Sequence, residues 1–341
     1  MNIQAKIKDI RKLSARRPGI KLMEVCGTHT VNIFRYGIKS ILPGNIKILS
    51  GPGCPVCVTP DFYIDNAIEL ARSGKIILTF GDMVRVPGTG GALEEAGNYR
   101  IIYSPSDALR ETDDREKEYV FLGVGFETTA PLCAWLIREA KRRRIKNLSV
   151  YSAHKIIPPA LRLIEKDNRV DGFILPGHVS AVIGAKAYGF LKKPAVISGF
   201  EAEDILESIL LLLKMITKGK KGIINQYRRA VSNAGNLPAE ELMNDVFLES
   251  DAVWRGLGRI RKSGLRIKRE YYFFDAEKRF GLKERREEKR RGCRCGEVIR
   301  GIIEPPECSM FRKVCTPRNP LGPCMVSTEG SCSAYYKYAN G

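Results

Sequence analysis

The chain has 341 residues, 44% of them apolar, and a formal net charge of +19. That length holds two or three domains with real cores, and the apolar content is that of a globular protein. No run of eighteen apolar residues occurs, which excludes a membrane-spanning helix, and the N-terminus "MNIQAKIKDIRKLSARRPG" has no apolar segment of a secretory signal.

A cytoplasmic protein is expected on these grounds. Its ten cysteines are Cys26, Cys54, Cys57, Cys133, Cys293, Cys295, Cys308, Cys315, Cys324 and Cys332, six of them in the last fifty residues. Structural disulfides are rare in that compartment. Clustered cysteines there point to metal or redox chemistry. The positive excess is local, in "REAKRRRIKN" (138–147), "RIRKSGLRIKRE" (259–270) and "KERREEKRRGCRC" (283–295). Such a charge raises nucleic acid as a partner. Glutamates mixed into the last block fit a solvated helix face or an acidic protein partner better, so nucleic acid is not the expected partner.

Residues 1–17 read as a short basic amphipathic helix, ended by Pro18-Gly19. Short apolar runs follow: "KLMEV" (21–25), "IKILS" (46–50), "KIILTF" (75–80), "YRIIYS" (99–104), "EYVFLGV" (118–124), "LSVYSA" (148–153), "DGFILP" (171–176) and "PAVISGF" (194–200). Most are continuous rather than alternating, as parallel strands covered on both faces are. Helix-length segments lie between several of them, at 60–74, 128–143 and 158–167. The fold class is α/β. A weak echo links "CGTH", "SGPGC" and "LTFGD" to "SAH", "LPGH" and "ISGFE". The reading is two similar open parallel-sheet (Rossmann-like) domains, 18–116 and 117–215, joined at "ETDDREKE". "EDILESILLLLKMIT" (203–217) and "NLPAEELMNDVFLES" (236–250) read as helices. The rest, 216–341, is expected to be a helical and Cys-rich domain. Beyond residue 285 periodicity is lost and Cys, Pro and Gly dominate, so this segment needs an internal staple such as bound metal.

All three histidines, His29, His154 and His178, lie just past a predicted strand. Open α/β sheets bind ligands outside the carboxyl ends of their strands. A histidine there acts in a site or caps a helix. Cys26 in "MEVCGTHT" is a nucleophile, a soft metal ligand or a buried strand-end thiol. Cys54 and Cys57 in "SGPGCPVCVTP" have C-x-x-C spacing in a proline-stiffened loop before a helix. Redox pair, half of a metal site and tight turn all stay open there. Asp82, Glu127, Glu201 and Glu329 are acidic candidates at strand ends or beside cysteine. Each is also readable as a carboxylate in the first turn of a helix. "GTGGALEEAG" (88–97) is neither a dinucleotide nor a phosphate-loop motif.

The tail carries Cys308, Cys315, Cys324 and Cys332, with gaps of six, eight and seven residues and no histidine. Those gaps differ from zinc-ribbon pairs, and four thiolates suit zinc or a [4Fe–4S] cluster. Cys293 and Cys295 add two spare thiols.

The motifs "MEVCGTHT", "SGPGCPVCVTP", "TFGDMVRVPG", "GVGFETTAP", "SAHKIIPPA", "LPGHVSAVIG", "ISGFE" and "CRCGEVIRG…PPECSMFRKVCTPRNPLGPCMVSTEGSCSAYYKY" together resemble the hydrogenase maturation factor HypD family, over nearly the whole chain. The resemblance implies two α/β domains and a third holding a [4Fe–4S] cluster. It implies a part in assembling the Fe(CN)2CO group of [NiFe] hydrogenases, as a scaffold working with a HypC-type chaperone and a HypE-type cyanide-transfer protein. By the same resemblance Cys26 binds the iron under assembly, Cys54 and Cys57 are a redox pair, and Cys308, Cys315, Cys324 and Cys332 hold the cluster. His178 and Glu329 fall at further functional positions. On that reading His29 assists the thiolate or a bound cyanide, and Gly27 leaves room for iron ligands. Two other classes fit parts of the sequence: an iron–sulfur thiol–disulfide oxidoreductase and an iron–sulfur RNA-binding protein.

Overall fold

The computed structural model describes residues 3–167, 169–285 and 292–339. Eight of the predicted apolar runs are strands: β1 (Ile20–Glu24), β2 (Ile46–Ser50), β3 (Ile76–Thr79), β4 (Tyr99–Ile101), β5 (Tyr119–Gly123), β6 (Leu148–Ser152), β7 (Gly172–Pro176) and β8 (Ala195–Ser198). A short β9 (Ile223–Asn225) and a long pair, β10 (Phe247–Trp254) and β11 (Gly258–Ile267), follow. Every residue of β5 and of β7 is buried, which explains their unbroken apolar character.

The α/β class and the parallel sheets are as expected. The first sheet has the order β2-β1-β7-β8-β9 and the second β4-β3-β5-β6, with all pairings parallel. The expected split of the chain at 116/117 does not match these sheets. The chain lays down β1 and β2, crosses to build the whole second sheet, and returns for β7, β8 and β9. Periodicity reveals strands but not their neighbours, so consecutive runs passed for consecutive domains. The echo has a different origin. "CGTH", "SGPGC", "LPGH" and "ISGF" end four strands of one sheet, with β1 directly paired to β2 and to β7.

The outer face of the first sheet is closed by the helix Ala202–Thr217, whose Ile209, Leu212 and Leu213 share a core with Leu22, Ile174 and Val196. The N-terminal helix Ile3–Ser14 packs on that helix. Lys6, nearly buried, reaches Glu203 and Glu207 at 3.0 and 2.8 Å. The second sheet is covered by the helix Ala130–Arg142 and by residues of β10 and β11, through Phe121, Leu136, Phe247 and Ile267.

Past residue 216 the structure departs from a purely helical reading. The helix expected at 236–250 is Leu237–Val246, and Phe247 opens β10 without a loop. Phe247 and Trp254 are buried while Glu249 and Asp251 face solvent, so "VFLESDAVW" belongs to a half-covered strand.

The Cys-rich segment does not stand apart. Its Val298, Ile299, Cys324 and Met325 belong to the same apolar cluster as Met23 and Leu49 of the first sheet and Val120 of the second. Gly301, at φ +64, lies where a side chain would run into Met23 and Leu49. The C-terminal helix Ser331–Tyr338 rests on the helix Gly27–Arg35, with the Tyr335 ring 4.2 Å from that of Phe34. Lys39 ties Glu304 and the Tyr335 hydroxyl together, both at 2.5 Å. Among the described residues no helix is long and apolar enough to cross a membrane.

Candidate functional site

The carboxyl ends of β1, β2 and β7 meet those of β3 and β5 at a crevice of about 380 Å³. Cys26, Asp82, Thr128, His178, Thr328 and Glu329 are among its walls. Three chain segments converge on Cys26 at backbone distance. The Gly27 N–H donates to the Gly53 carbonyl at 2.9 Å. A Cβ on Gly53 would fall 2.1 Å from the Cys26 nitrogen, and one on Gly27 would fall 2.4 Å from the Glu329 Cβ. Only glycine fits either position. The space expected beside Gly27 for iron ligands is therefore filled by Glu329. The open side of Cys26 is the crevice itself.

Cys26 caps the helix Gly27–Arg35, in extended backbone conformation. Burial pushes its thiol up to about 12, and the Glu329 and Glu24 charges add to this. The His29 and Thr28 amides act the other way, as N–H groups at a helix start do. Glu24 is buried beneath it. One oxygen accepts from the Cys26 N–H at 2.9 Å and the other from the Thr30 hydroxyl. Burial holds this carboxyl up at about 7, against those hydrogen bonds. A bound cation reverses such a balance, since it favours both thiolate and carboxylate.

The three histidines do not share the crevice. His178 lines it, and desolvation lowers the ring's pKa. The His29 ring is fully buried, and its Nε2 meets the Gly199 carbonyl at 2.9 Å. Phe200 stacks with both rings, at 3.9 Å from His178 and 4.7 Å from His29. Burial takes His29 down to about 4, so its ring is neutral. Its contact with Cys26 runs through its backbone N–H rather than its ring. His154 is packed under β5, where a Cβ on Gly123 would lie 2.9 Å from its Cε1. It borders a separate cavity of about 360 Å³ beside β10 and β11.

Of the carboxylates, Asp82 and Glu329 belong to the crevice. Asp82 accepts from the Ser327 and Thr328 hydroxyls and the Thr328 N–H, each at 3.1 Å. Glu329 accepts from Thr28 Oγ1 at 2.8 Å. The Cys-rich segment thus supplies one wall. Glu201 is exposed at the start of the helix Ala202–Thr217, and Glu127 is buried elsewhere.

The opening of the helix Pro55–Val58 carries a Cys54–Cys57 disulfide. Cys54 is 5% exposed and Cys57 0%. The Cys57 N–H donates to Cys54 Sγ at 3.2 Å, and Cys54 Sγ lies 3.4 Å from Ser327 Oγ. The closed bond leaves neither sulfur as a free thiolate ligand, unlike the metal-site reading of this loop.

Ser327 leads back to Cys324 and to a second, sulfur-lined pocket. Cys308, Cys315, Cys324 and Cys332 all border it, and so do Cys293 and Cys295. Gly322 is close enough that a Cβ there would stand 2.7 Å from Cys293 Sγ. The Leu321 N–H points to Cys315 Sγ at 3.4 Å. Among the described residues, no group of three His, Cys, Asp or Glu side chains is arranged to hold a single ion. A cubic cluster makes a different demand, one thiolate for each of four irons. The all-sulfur wall, with an amide N–H aimed at one sulfur, fits that donor chemistry. Cys133 is buried in the helix Ala130–Arg142 and far from this role, packed with the second sheet's core.

The family that matches is described as "Hydrogenase formation hypA family" (HypD), over residues 1–339. The chain belongs to the HypD family. Its relatives include the hydrogenase maturation factor HypD of Azotobacter vinelandii, 44% identical over 337 residues, which are 93% of this chain and 89% of that one. The HypD of Escherichia coli K12 is 42% identical over 338 residues, 95% and 90% of the two chains. That of Rhodobacter capsulatus is 42% identical over 351 residues, 98% and 93%. The resemblance read from the motifs is confirmed at the level of the family, and with it hydrogenase maturation as the setting.

Within this HypD-family chain several neighbours of the site left no mark in the sequence. Glu24, Thr128, Ser327 and Thr328 are ordinary polar residues there, and only the fold brings them to the crevice. Phe200 sits inside the quoted "ISGFE", yet its stacking role needs two histidines from two other segments.

Glu127 yields a stability test. Its Oε1 accepts from the Ile157 N–H at 2.9 Å, while Oε2 is buried without a partner. Burial raises this carboxyl from its ordinary 4.5 to about 7. Below pH 4.5 it is protonated in both folded and unfolded chains, with no effect. As pH rises to 7 the unfolded state ionises first, so the folded state loses about 3 kcal/mol. Glu127→Gln should remove that slope. Urea unfolding at pH 5 and pH 8 should show the variant gaining on the wild type at the higher pH. An equal change with pH in both proteins would contradict the assignment.

Proposed function

We propose that this chain is the scaffold on which an iron ion, as substrate, acquires cyanide and CO for [NiFe] hydrogenase. The observation that carries the reading is the placement of Cys26. Its sulfur sits at a helix start, facing an open crevice, with a disulfide loop and His178 on the same walls. Low-spin iron with cyanide and CO is a soft centre, and a thiolate is its natural anchor. When iron binds, the Cys26 thiol gives up its proton, and the His29 and Thr28 amides hold the sulfur's remaining charge. Asp82 and Glu329 favour a cation in the crevice. His178, neutral at ordinary pH, offers a ring N–H or lone pair to a ligand nitrogen. His29 contributes through its amide and by stacking on Phe200.

The disulfide supplies the electron store. As a dithiol, Cys54 and Cys57 release two electrons and two protons on closing. Cys308, Cys315, Cys324 and Cys332 would hold a [4Fe–4S] cluster, which exchanges electrons singly when bound. The two sulfur sites adjoin through Ser327, so a thiol pair and a one-electron centre are neighbours in the fold.

A HypC-type chaperone docks over the crevice on this reading, completing the iron's coordination and excluding water. A HypE-type protein delivers the cyanide. The basic run at 138–147 is one place where an acidic protein partner would sit. Much of it is engaged internally: Arg142 and Arg143 with Glu139, and Arg138 with Asp245. The alternative of a thiol–disulfide oxidoreductase acting on other proteins is less favoured, because both sulfurs of the disulfide are buried.

Two variants test this. Cys26→Ser should fold and keep the visible absorbance of the cysteine pocket. It should lose the infrared bands of bound cyanide and CO, because a hydroxyl is a far weaker ligand for soft iron. Bands at wild-type intensity would place the iron elsewhere. Cys315→Ala should bleach the visible absorbance and loosen the chain beyond residue 292, since ligation there is folding energy. Full iron and sulfide content in that variant would remove Cys315 from the ligand set.

A further inference from the structure

One buried cation holds the chain that follows the disulfide. Arg255 directly follows β10, and its side chain is 7% exposed. Its backbone N–H donates to the Val58 carbonyl at 2.8 Å, and Nε–H donates to the Thr59 carbonyl at 2.8 Å. Nη1 pairs with the buried Asp61 carboxylate. These three acceptors follow directly on Cys57. The remaining nitrogen, Nη2, is buried with no hydrogen-bond partner.

The next residue touches the other sulfur site. Gly256, at φ +77, packs on Gly296, the neighbour of Cys295. A Cβ on Gly256 would lie 2.5 Å from the Gly296 Cα. One guanidinium therefore clamps the chain after the disulfide while the turn that carries it rests on the residue next to Cys295.

A buried guanidinium N–H without an acceptor is costly, and arginine cannot shed its charge to escape that cost. An acceptor that arrives with the pocket's anionic contents resolves both problems. Thiolates and cluster sulfides are such acceptors, and hydrogen bonds and nearby charge set the potential of such centres.

We propose that Arg255 is a positioning residue joining the two sulfur sites: it holds the Cys54–Cys57 loop against the cysteine pocket and directs Nη2–H and a fixed positive charge at sulfur anions there. This rests on the reading that the pocket holds an iron–sulfur cluster. A fixed cation favours the reduced, more negative state of that centre. Removing it lowers the midpoint potential.

The test uses the full chain, purified without oxygen, with iron and sulfide counted and the potential titrated by electron paramagnetic resonance. The variants are Arg255→Lys, Arg255→Met, and Arg255→Met combined with Asp61→Asn. The double variant matters because Met alone takes the guanidinium from a buried carboxylate and the chain then risks misfolding. The Met variants should shift the one-electron equilibrium about tenfold toward the oxidised form, about 59 mV downward. Lys should recover most of that shift, a rescue that a packing role would not give. Loss of iron from both Met variants but not from the Lys variant supports the proposal equally. Wild-type potential in the fully loaded Met variants overturns it, and so does a Lys variant as low as Met. A wild-type chain without acid-labile sulfide would instead overturn the cluster reading itself, before any variant is compared.

Discussion

The close approach of three backbone segments at Cys26 is the constraint on which the rest depends. The end of β1, the Gly53 loop after β2 and the Glu329 turn of the Cys-rich segment meet with no space for a side chain at Gly27 or Gly53. Two sheets aimed at a common crevice would still leave their loops free to wander. This contact fixes one thiol at a helix start, against a wall that comes from just over three hundred residues further along the chain. The Asp82 bridge to Ser327 and Thr328 fixes the opposite side in the same way.

The electrostatics follow from that burial. Around Cys26 the site is dry, so His29 is neutral, Glu24 sits near neutral pH in its titration, and the thiol is held protonated. A cation entering such a site favours the ionised forms of the groups that burial holds protonated. The sulfur-lined pocket is built otherwise. It carries six thiols and a neighbouring arginine, with no carboxylate on its wall among the described residues. The crevice suits a transient cation, the pocket an anionic sulfur assembly.

Much of this was legible in the sequence, for physical reasons. Buried parallel strands are continuous apolar runs, so eight of them could be located from "KLMEV" to "PAVISGF". Glycine and proline beside cysteine announced tight turns at strand ends, which brought out Cys26 and Cys54. What failed was adjacency. Strand periodicity says nothing about which strand lies beside which, so β3 to β6 were divided between two domains that the sheets do not respect. The same limit misplaced His29 and His154. Each ends a strand at the right edge, but the rotation of a side chain about its backbone depends on partners such as Phe200 and Gly123. β10 and β11 were missed because the helix Leu237–Val246 runs into β10 with no breaker residue between them.

The Cys-rich segment closes the argument, because its stability and the crevice geometry are one problem. Its aliphatic surface is small, and its few apolar residues join a core that belongs mainly to the sheets. Lys39, Glu304, Tyr335 and Phe34 hold its far end, while Asp82 and Thr28 hold its near end through Ser327, Thr328 and Glu329. Between those tethers the thiols are what remain to order the chain. Cys324 lies three residues from Ser327 and five from Glu329, so the order of the pocket and of the crevice wall facing Cys26 are linked through a short stretch of chain. Oxidation of the Cys54–Cys57 pair acts on the same hydroxyl from the other side, since Cys54 lies against Ser327. The single serine hydroxyl therefore touches the disulfide, donates to Asp82 and accepts from the Glu329 amide, so one group joins the disulfide loop to the wall facing Cys26.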